Sequence, residues 1–139
     1  MQIDTSTEFG GRVTRRLNED GIIWLTTVRA SGLPEPSPVW FLWDGSTVLI
    51  YSQPNTVKLM DIAANSLVSL NFNCSDGGGD VIIMTGEAQI DESAPPADRS
   101  PDYLRKYATR IAGIDSTPER FARGYSVAIR VTPKRLRGH

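Results

Sequence analysis

Between Arg29 and Arg99 the sequence carries one cationic side chain, Lys58. It stands in the string Tyr51-Ser-Gln-Pro-Asn-Thr-Val-Lys, where an extended segment gives way to a helical one. With Asn55 as the cap, Lys58 takes the third helical position, at an end that exposed N–H groups already make positive. A bound anion resolves that conflict. A phosphate would gather the N–H groups of the helix start, the hydroxyls of Ser52 and Thr56 and the ammonium of Lys58. The plainer reading is a surface lysine directed to solvent or to Asp61.

Other chemistry is scarce. The chain has one Cys, Cys74, and one His, His139, the last residue given. Three or four zinc ligands cannot be assembled from these, and an ordered imidazole for nucleophilic catalysis is missing, so no metal site is expected. An enzyme built from this sequence needs a cofactor to supply its reactivity. Tyr51 is the one weak candidate for a proton donor, although a strand tyrosine more often serves packing. A second group of interest is aromatic: Trp24, Trp40, Phe41 and Trp43. Trp40 and Phe41 fall on opposite faces of a strand, so one face packs the core while the other lines a flat pocket or a subunit contact. Alternatively all four belong to the core. Pro34, Pro36 and Pro38 recur at alternate positions, which either frees backbone groups for a ligand or protects an edge.

These residues must be positioned by 139 residues of which 40% are hydrophobic and 22% charged. That length suits one domain over residues 1–139, with no room for a second. A single Cys, no signal-like N-terminus and no apolar run near the roughly 18 residues of a membrane span point to a reducing, cytoplasmic setting. The net charge of −1 is unevenly spread: residues 1–94 hold five basic and twelve acidic side chains, −7, and residues 95–139 hold ten against four, +6. The basic third is a candidate surface for nucleic acid on an oligonucleotide-binding type of barrel, or simply a solvated helical surface. The second reading is preferred because the cations are scattered among acids and not interleaved with aromatics.

Periodicity supplies the elements. Thr5 caps a short helix through a box with Glu8, and Phe9, Val13 and Leu17 form its apolar stripe. Residues 22–29 and 37–43 read as two strands joined by the turn 30–36, and Asp44-Gly45 leads into a third over residues 47–52. A helix over about 56–65 follows. Val68, Leu70 and Phe72 alternate with Ser69, Asn71 and Asn73 in a fourth strand, and residues 81–90 make a fifth with Gly86 as a bulge or kink. The glycine run 77–79 precedes a strand and not a helix, so it is not a phosphate loop. Tyr103, Tyr107 and Ile111 stripe a helix over 102–112, a shorter helix runs from Thr117 to about Gly124, and residues 126–132 form a sixth strand. Six mostly sequential antiparallel strands with helical excursions predict a mainly β fold closed into a small barrel.

The ordered strings Trp24-Leu-Thr-Thr-Val-Arg-Ala-Ser-Gly-Leu-Pro, Pro38-Val-Trp-Phe-Leu-Trp-Asp-Gly, Tyr51-Ser-Gln-Pro-Asn-Thr-Val-Lys-Leu, Val68-Ser-Leu-Asn-Phe and Gly86-Glu-Ala resemble the pyridoxamine 5′-phosphate oxidase-like split β-barrel superfamily. More narrowly they resemble its actinobacterial branch that uses the deazaflavin coenzyme F420. The resemblance implies a homodimer with the coenzyme ring in a groove between two barrels. It places Lys58 and Thr56 on the coenzyme phosphate, Ser52, Gln53 and Asn55 as supporting contacts, and Pro38, Val39 and Trp40 beside the ring. Flavin-using oxidases of the superfamily carry an arginine at the start and a lysine at the end of the second strand. Residues 37–43 contain no cation, which favours F420 over FMN. The implied activity is hydride transfer from reduced F420 to an electron-poor small molecule such as an enone or quinone. The alternatives are an FMN-dependent oxidoreductase of the same fold, or a module that binds F420, flavin or haem without turnover.

Overall fold

The computed structural model describes residues 1–139. In chain order the elements are α1 (Glu8–Glu19), β1 (Ile23–Val28), β2 (Pro34–Val39), β3 (Leu42–Trp43), β4 (Val48–Ser52), α2 (Val57–Ala64), β5 (Leu67–Asn71), β6 (Ile82–Ile90), α3 (Pro101–Gly113), α4 (Pro118–Gly124) and β7 (Val127–Gly138), with a 3₁₀ turn at Ala97–Arg99. All pairings are antiparallel, in the order β2-β1-β5-β6-β7-β4-β3.

The two ends of that ladder, β2 and β3, are consecutive in sequence and separated only by Trp40 and Phe41. The sheet must therefore curl until its edges meet. One run of chain bends at Trp40–Phe41, pairs with β1 before the bend and with β4 after it. This corrects the expected count of six strands to seven, and a covalent bend rather than a ladder completes the barrel. The bent run also starts earlier than residue 37. Pro34, Pro36 and Pro38 stand opposite Val28, Thr26 and Trp24. Alternation gives all three the same edge, so Glu35, Ser37 and Val39 make the ladder and no donor is lost.

The barrel interior holds Val13, Leu17, Leu25, Phe41, Ile50, Leu70, Met84 and Ile129 among its apolar side chains. A second cluster lies outside the barrel, where Leu49, Tyr51 and Ala128 meet Tyr103, Tyr107, Ile111 and Phe121 of the two helices. Strand β4 is consequently buried along its whole length, with alternate residues serving the two clusters. Each large side chain removed from water contributes about 1.5–3 kcal/mol, so the helical excursion is held firmly against β4.

Local signals mostly set the ends of the elements. Helix α3 begins at Ser100, whose hydroxyl accepts from the Tyr103 N–H at 3.4 Å, and α4 at Thr117, whose hydroxyl accepts from the Arg120 N–H at 3.2 Å. In α1 the cap is Thr7, not Thr5: its hydroxyl accepts from the Gly10 N–H at 3.0 Å. The Asp4 carboxylate binds Ser6 instead and holds the chain out of helix until that point. Strand β7 runs well beyond residue 132 because a register shift between Thr85 and Gly86 seats Pro133 opposite Gly86. A Cβ at Gly86 would lie 2.2 Å from the Thr132 carbonyl oxygen, so only glycine permits this approach.

Candidate functional site

Strand β4 passes into α2 through residues 53–56. Asn55 adopts a left-handed conformation with φ 63°, which Asn tolerates better than most residues. Asn55 is therefore the turn residue and not the cap. A cap must be extended, and the chain reaches that geometry one residue later, at Thr56 with φ −81° and ψ 159°. Lys58 accordingly becomes the second residue of α2 rather than the third.

The Thr56 hydroxyl does not cap the helix either. It lies 3.1 Å from Ser52 Oγ, which itself donates to the Gln53 carbonyl at 2.8 Å. The N–H groups of Val57 and Lys58 thus have no acceptor within the helix and none from a capping side chain. Lys58 itself forms no ion pair. Asp61, its expected alternative partner, is 5% exposed and accepts from the Thr27 hydroxyl at 2.7 Å. Two unpartnered backbone donors, two hydroxyls and an ammonium with no counter-charge stand together.

Of these residues, Ser52, Thr56 and Lys58 line a cavity of about 290 Å³. Ser52, Gln53, Thr56 and Lys58 form its polar end; Pro38 and Val39 come from the end of β2, Trp40 from the bend that follows it, Ile50 and Tyr51 from β4, and Tyr103, Ile114, Phe121 and Tyr125 from the helical excursion. Of the residues assigned from the sequence to the coenzyme, Asn55 alone stays outside the lining, and its backbone is left-handed; Trp24, Trp43, Pro34 and Pro36 of the wider aromatic and proline groups also lie outside it. Trp40 stacks on Tyr107 at 4.9 Å between centroids and on Phe121 at 5.5 Å, and Phe121 stacks on Tyr125 at 4.5 Å. The cavity is thus anion-seeking at one end and flat and apolar at the other. Phe41, on the opposite side of the chain from Trp40, fills the barrel core.

Tyr51 lines the cavity, but its hydroxyl donates to the Pro95 carbonyl at 2.6 Å. Burial also raises its pKa above the ordinary tyrosine value. Both effects make it a poor proton donor. The contributions of Tyr103, Ile114, Phe121 and Tyr125 were not legible as a site, because aromatic residues four apart on a helix read equally as core. The basic third of the chain is used partly for structure: Arg130 pairs with Asp91 and Asp44. No helix is long and apolar enough to cross a membrane.

The donor set fits a phosphate, and the stacked wall fits a planar ring. A volume of about 290 Å³ is at the low end for a ligand pocket, commonly about 300–1,000 Å³. That is room for part of a coenzyme-sized molecule rather than the whole.

Comparison with solved structures gives several likenesses of fold. An F420 reductase is 23% identical, with a TM-score of 0.65 over 87% of this chain and 92% of that one. A putative pyridoxamine 5′-phosphate oxidase from Listeria innocua is 21% identical, with a TM-score of 0.67 over 91% and 94%. The haem storage protein HutZ from Vibrio cholerae is 14% identical, with a TM-score of 0.64 over 99% and 95%. No curated protein matches the chain. The family model described as pyridoxamine 5′-phosphate oxidase matches residues 10–139, and with the bent-strand barrel and its cavity this establishes that the chain belongs to the pyridoxamine 5′-phosphate oxidase family.

Proposed function

We propose that this protein is an F420H2-dependent reductase that acts on an electron-poor small molecule such as an enone or quinone. One observation carries the reading: a single cavity joins Lys58 and the uncapped start of α2 to a wall of stacked aromatic rings. Lys58, Thr56 and Ser52 hold the coenzyme phosphate, with Gln53 at the rim. Pro38, Val39 and Trp40 support the ring and keep water from one face of it. Reduced F420, when bound, supplies a hydride from C5. With the Tyr51 proton committed to Pro95, the product takes its proton from solvent, which suits acceptors whose reduced anion is delocalised. The F420 reductase among the structural likenesses supports the choice of coenzyme. So does the absence of any cation over residues 37–43, where FMN-dependent relatives are expected to place two.

A homodimer belongs to this reading. The cavity encloses only part of a coenzyme, and Val57 and Met60, both exposed on α2, flank Lys58. A second barrel packed there completes the groove. A cytoplasmic setting goes with it, since Cys74 is free and exposed.

The test is a side-by-side fluorescence titration with F420 and FMN, followed by turnover of F420H2 with a panel of quinones and enones. Binding of F420 at least tenfold tighter than FMN, with steady-state oxidation in the presence of an acceptor, is expected. Tight FMN binding with no affinity for F420 would assign the alternative coenzyme, and binding without turnover would make the protein a carrier.

A further inference from the structure

The bend between β2 and β3 leaves the Phe41 peptide outside every strand ladder, although the residue is fully buried. Its backbone groups need partners from elsewhere, because an unpaired buried N–H or C=O is costly. Helix α3 supplies them. The Phe41 N–H donates to the Tyr107 hydroxyl at 2.8 Å. That hydroxyl faces two carbonyls, Gly21 at 2.8 Å and Phe41 at 2.9 Å, but owns one proton. Lys106 settles the competition: its Nζ donates to the Phe41 carbonyl at 2.9 Å, which frees the tyrosine proton for Gly21. The same ammonium lies 3.7 Å from the centroid of the Phe41 ring. On the other side of the bend the Trp40 ring lies on the Tyr107 ring, with planes 7° apart. Two adjacent residues of α3 therefore hold both the backbone of the bend and the indole that lines the cavity.

We propose that Lys106 is a positioning residue for the candidate site: by satisfying the Phe41 carbonyl it leaves Tyr107 to hold Trp40 in place as the wall against which a planar coenzyme ring rests. The part of this proposal that concerns the coenzyme rests on the functional reading above. Without Lys106, one hydroxyl proton must serve two carbonyls, the buried one of Phe41 and the half-buried one of Gly21. Either the Gly21 or the Phe41 group then loses its donor, and the bend has no single preferred geometry. The removal of a cation about 65 positions away in sequence from Phe41 would thus be read at the cavity.

The test uses the full chain with Trp24→Phe and Trp43→Phe, so that Trp40 is the sole tryptophan. Acrylamide quenching of Trp40 and the affinity for F420 are measured for Lys106→Met, Lys106→Arg and, away from the site, Lys134→Met. In a folded Lys106→Met variant the quenching constant rises at least twofold and F420 binds at least fivefold more weakly. Arginine, which can still donate to the carbonyl and cover the ring, keeps both within twofold, and Lys134→Met changes neither. Unchanged quenching in folded Lys106→Met, or failure of arginine to rescue it, overturns the proposal. Should Lys106→Met not fold, Tyr107→Phe removes only the hydroxyl and is read by the same two measurements against the same thresholds. If the parent protein binds neither F420 nor FMN, the coenzyme reading fails, and the positioning role is decided by quenching alone.

Discussion

Ser52 Oγ and Thr56 Oγ1 lie 3.1 Å apart across the turn that joins β4 to α2, and this contact replaces the side-chain cap that α2 lacks. The consequence is an open helix start facing Lys58, in a cavity whose far wall is aromatic. A conventional cap would have filled that position with a protein oxygen; no side chain does so here.

Lys58→Ala should therefore weaken coenzyme binding at least tenfold, consistent with the roughly 1.5–3 kcal/mol of a charged hydrogen bond. The melting temperature should stay within about a degree, because Lys58 has no ion pair to lose. A coenzyme titration beside a thermal melt checks both halves.

Thr27→Val should destabilise the fold by about 1–3 kcal/mol, since it removes the hydroxyl that donates to the buried Asp61 carboxylate. Thr27→Ser, which keeps the donor, should recover most of that loss. Denaturant midpoints for the two variants distinguish a lost hydrogen bond from lost methyl packing.

Gly86→Ala drives a Cβ into the Thr132 carbonyl at 2.2 Å. The strands β6 and β7 must separate or shift register, at a cost of about 1–3 kcal/mol. Amide exchange should rise first at the register shift, between Thr85 and Pro133.

Burial pushes the Lys106 ammonium down to about 8; Asp20 pulls the value up and Arg110 pushes it further down. Asp102 and Arg105 lie around the same surface cavity. Between pH 8 and the ordinary lysine value of 10.5, the unfolded chain holds a proton at this position that the folded chain has released. Stability contributed at Lys106 therefore rises with pH across that window. Wild type should gain stability relative to Lys106→Met from pH 8 to pH 10.5, as read by chemical denaturation at each pH. A flat difference would show that the amine titrates in the same way in both states.

Several features needed no three-dimensional information. The alternation of Val68, Leu70 and Phe72 placed all three inside the barrel, and Tyr103, Tyr107 and Ile111 form the buried stripe of α3. These patterns repeat with the period of a single element, so they survive whatever the element packs against. The cluster at Ser52, Thr56 and Lys58 was legible for a related reason: turn, cap and first helical residues are neighbours in sequence. The same locality explains the misplaced caps, since Thr5 against Thr7 and Asn55 against Thr56 differ only by backbone angles that an amino-acid type does not dictate.

Tertiary structure alone decided the rest. The expected strand over residues 37–43 is one run of chain that serves two neighbours, and its bend could not be read locally because β1 and β4 impose it from either side. Nor does any local pattern say that Trp40 would stack on Tyr107 and Phe121, or that Lys106 would reach Phe41. Those contacts join residues far apart in the chain, and they exist because a buried peptide outside the ladder must find its donors wherever the packed helices bring them. Periodicity can state which face of a helix is apolar, but which aromatic becomes core and which becomes the wall of a cavity depends on where the other elements come to rest.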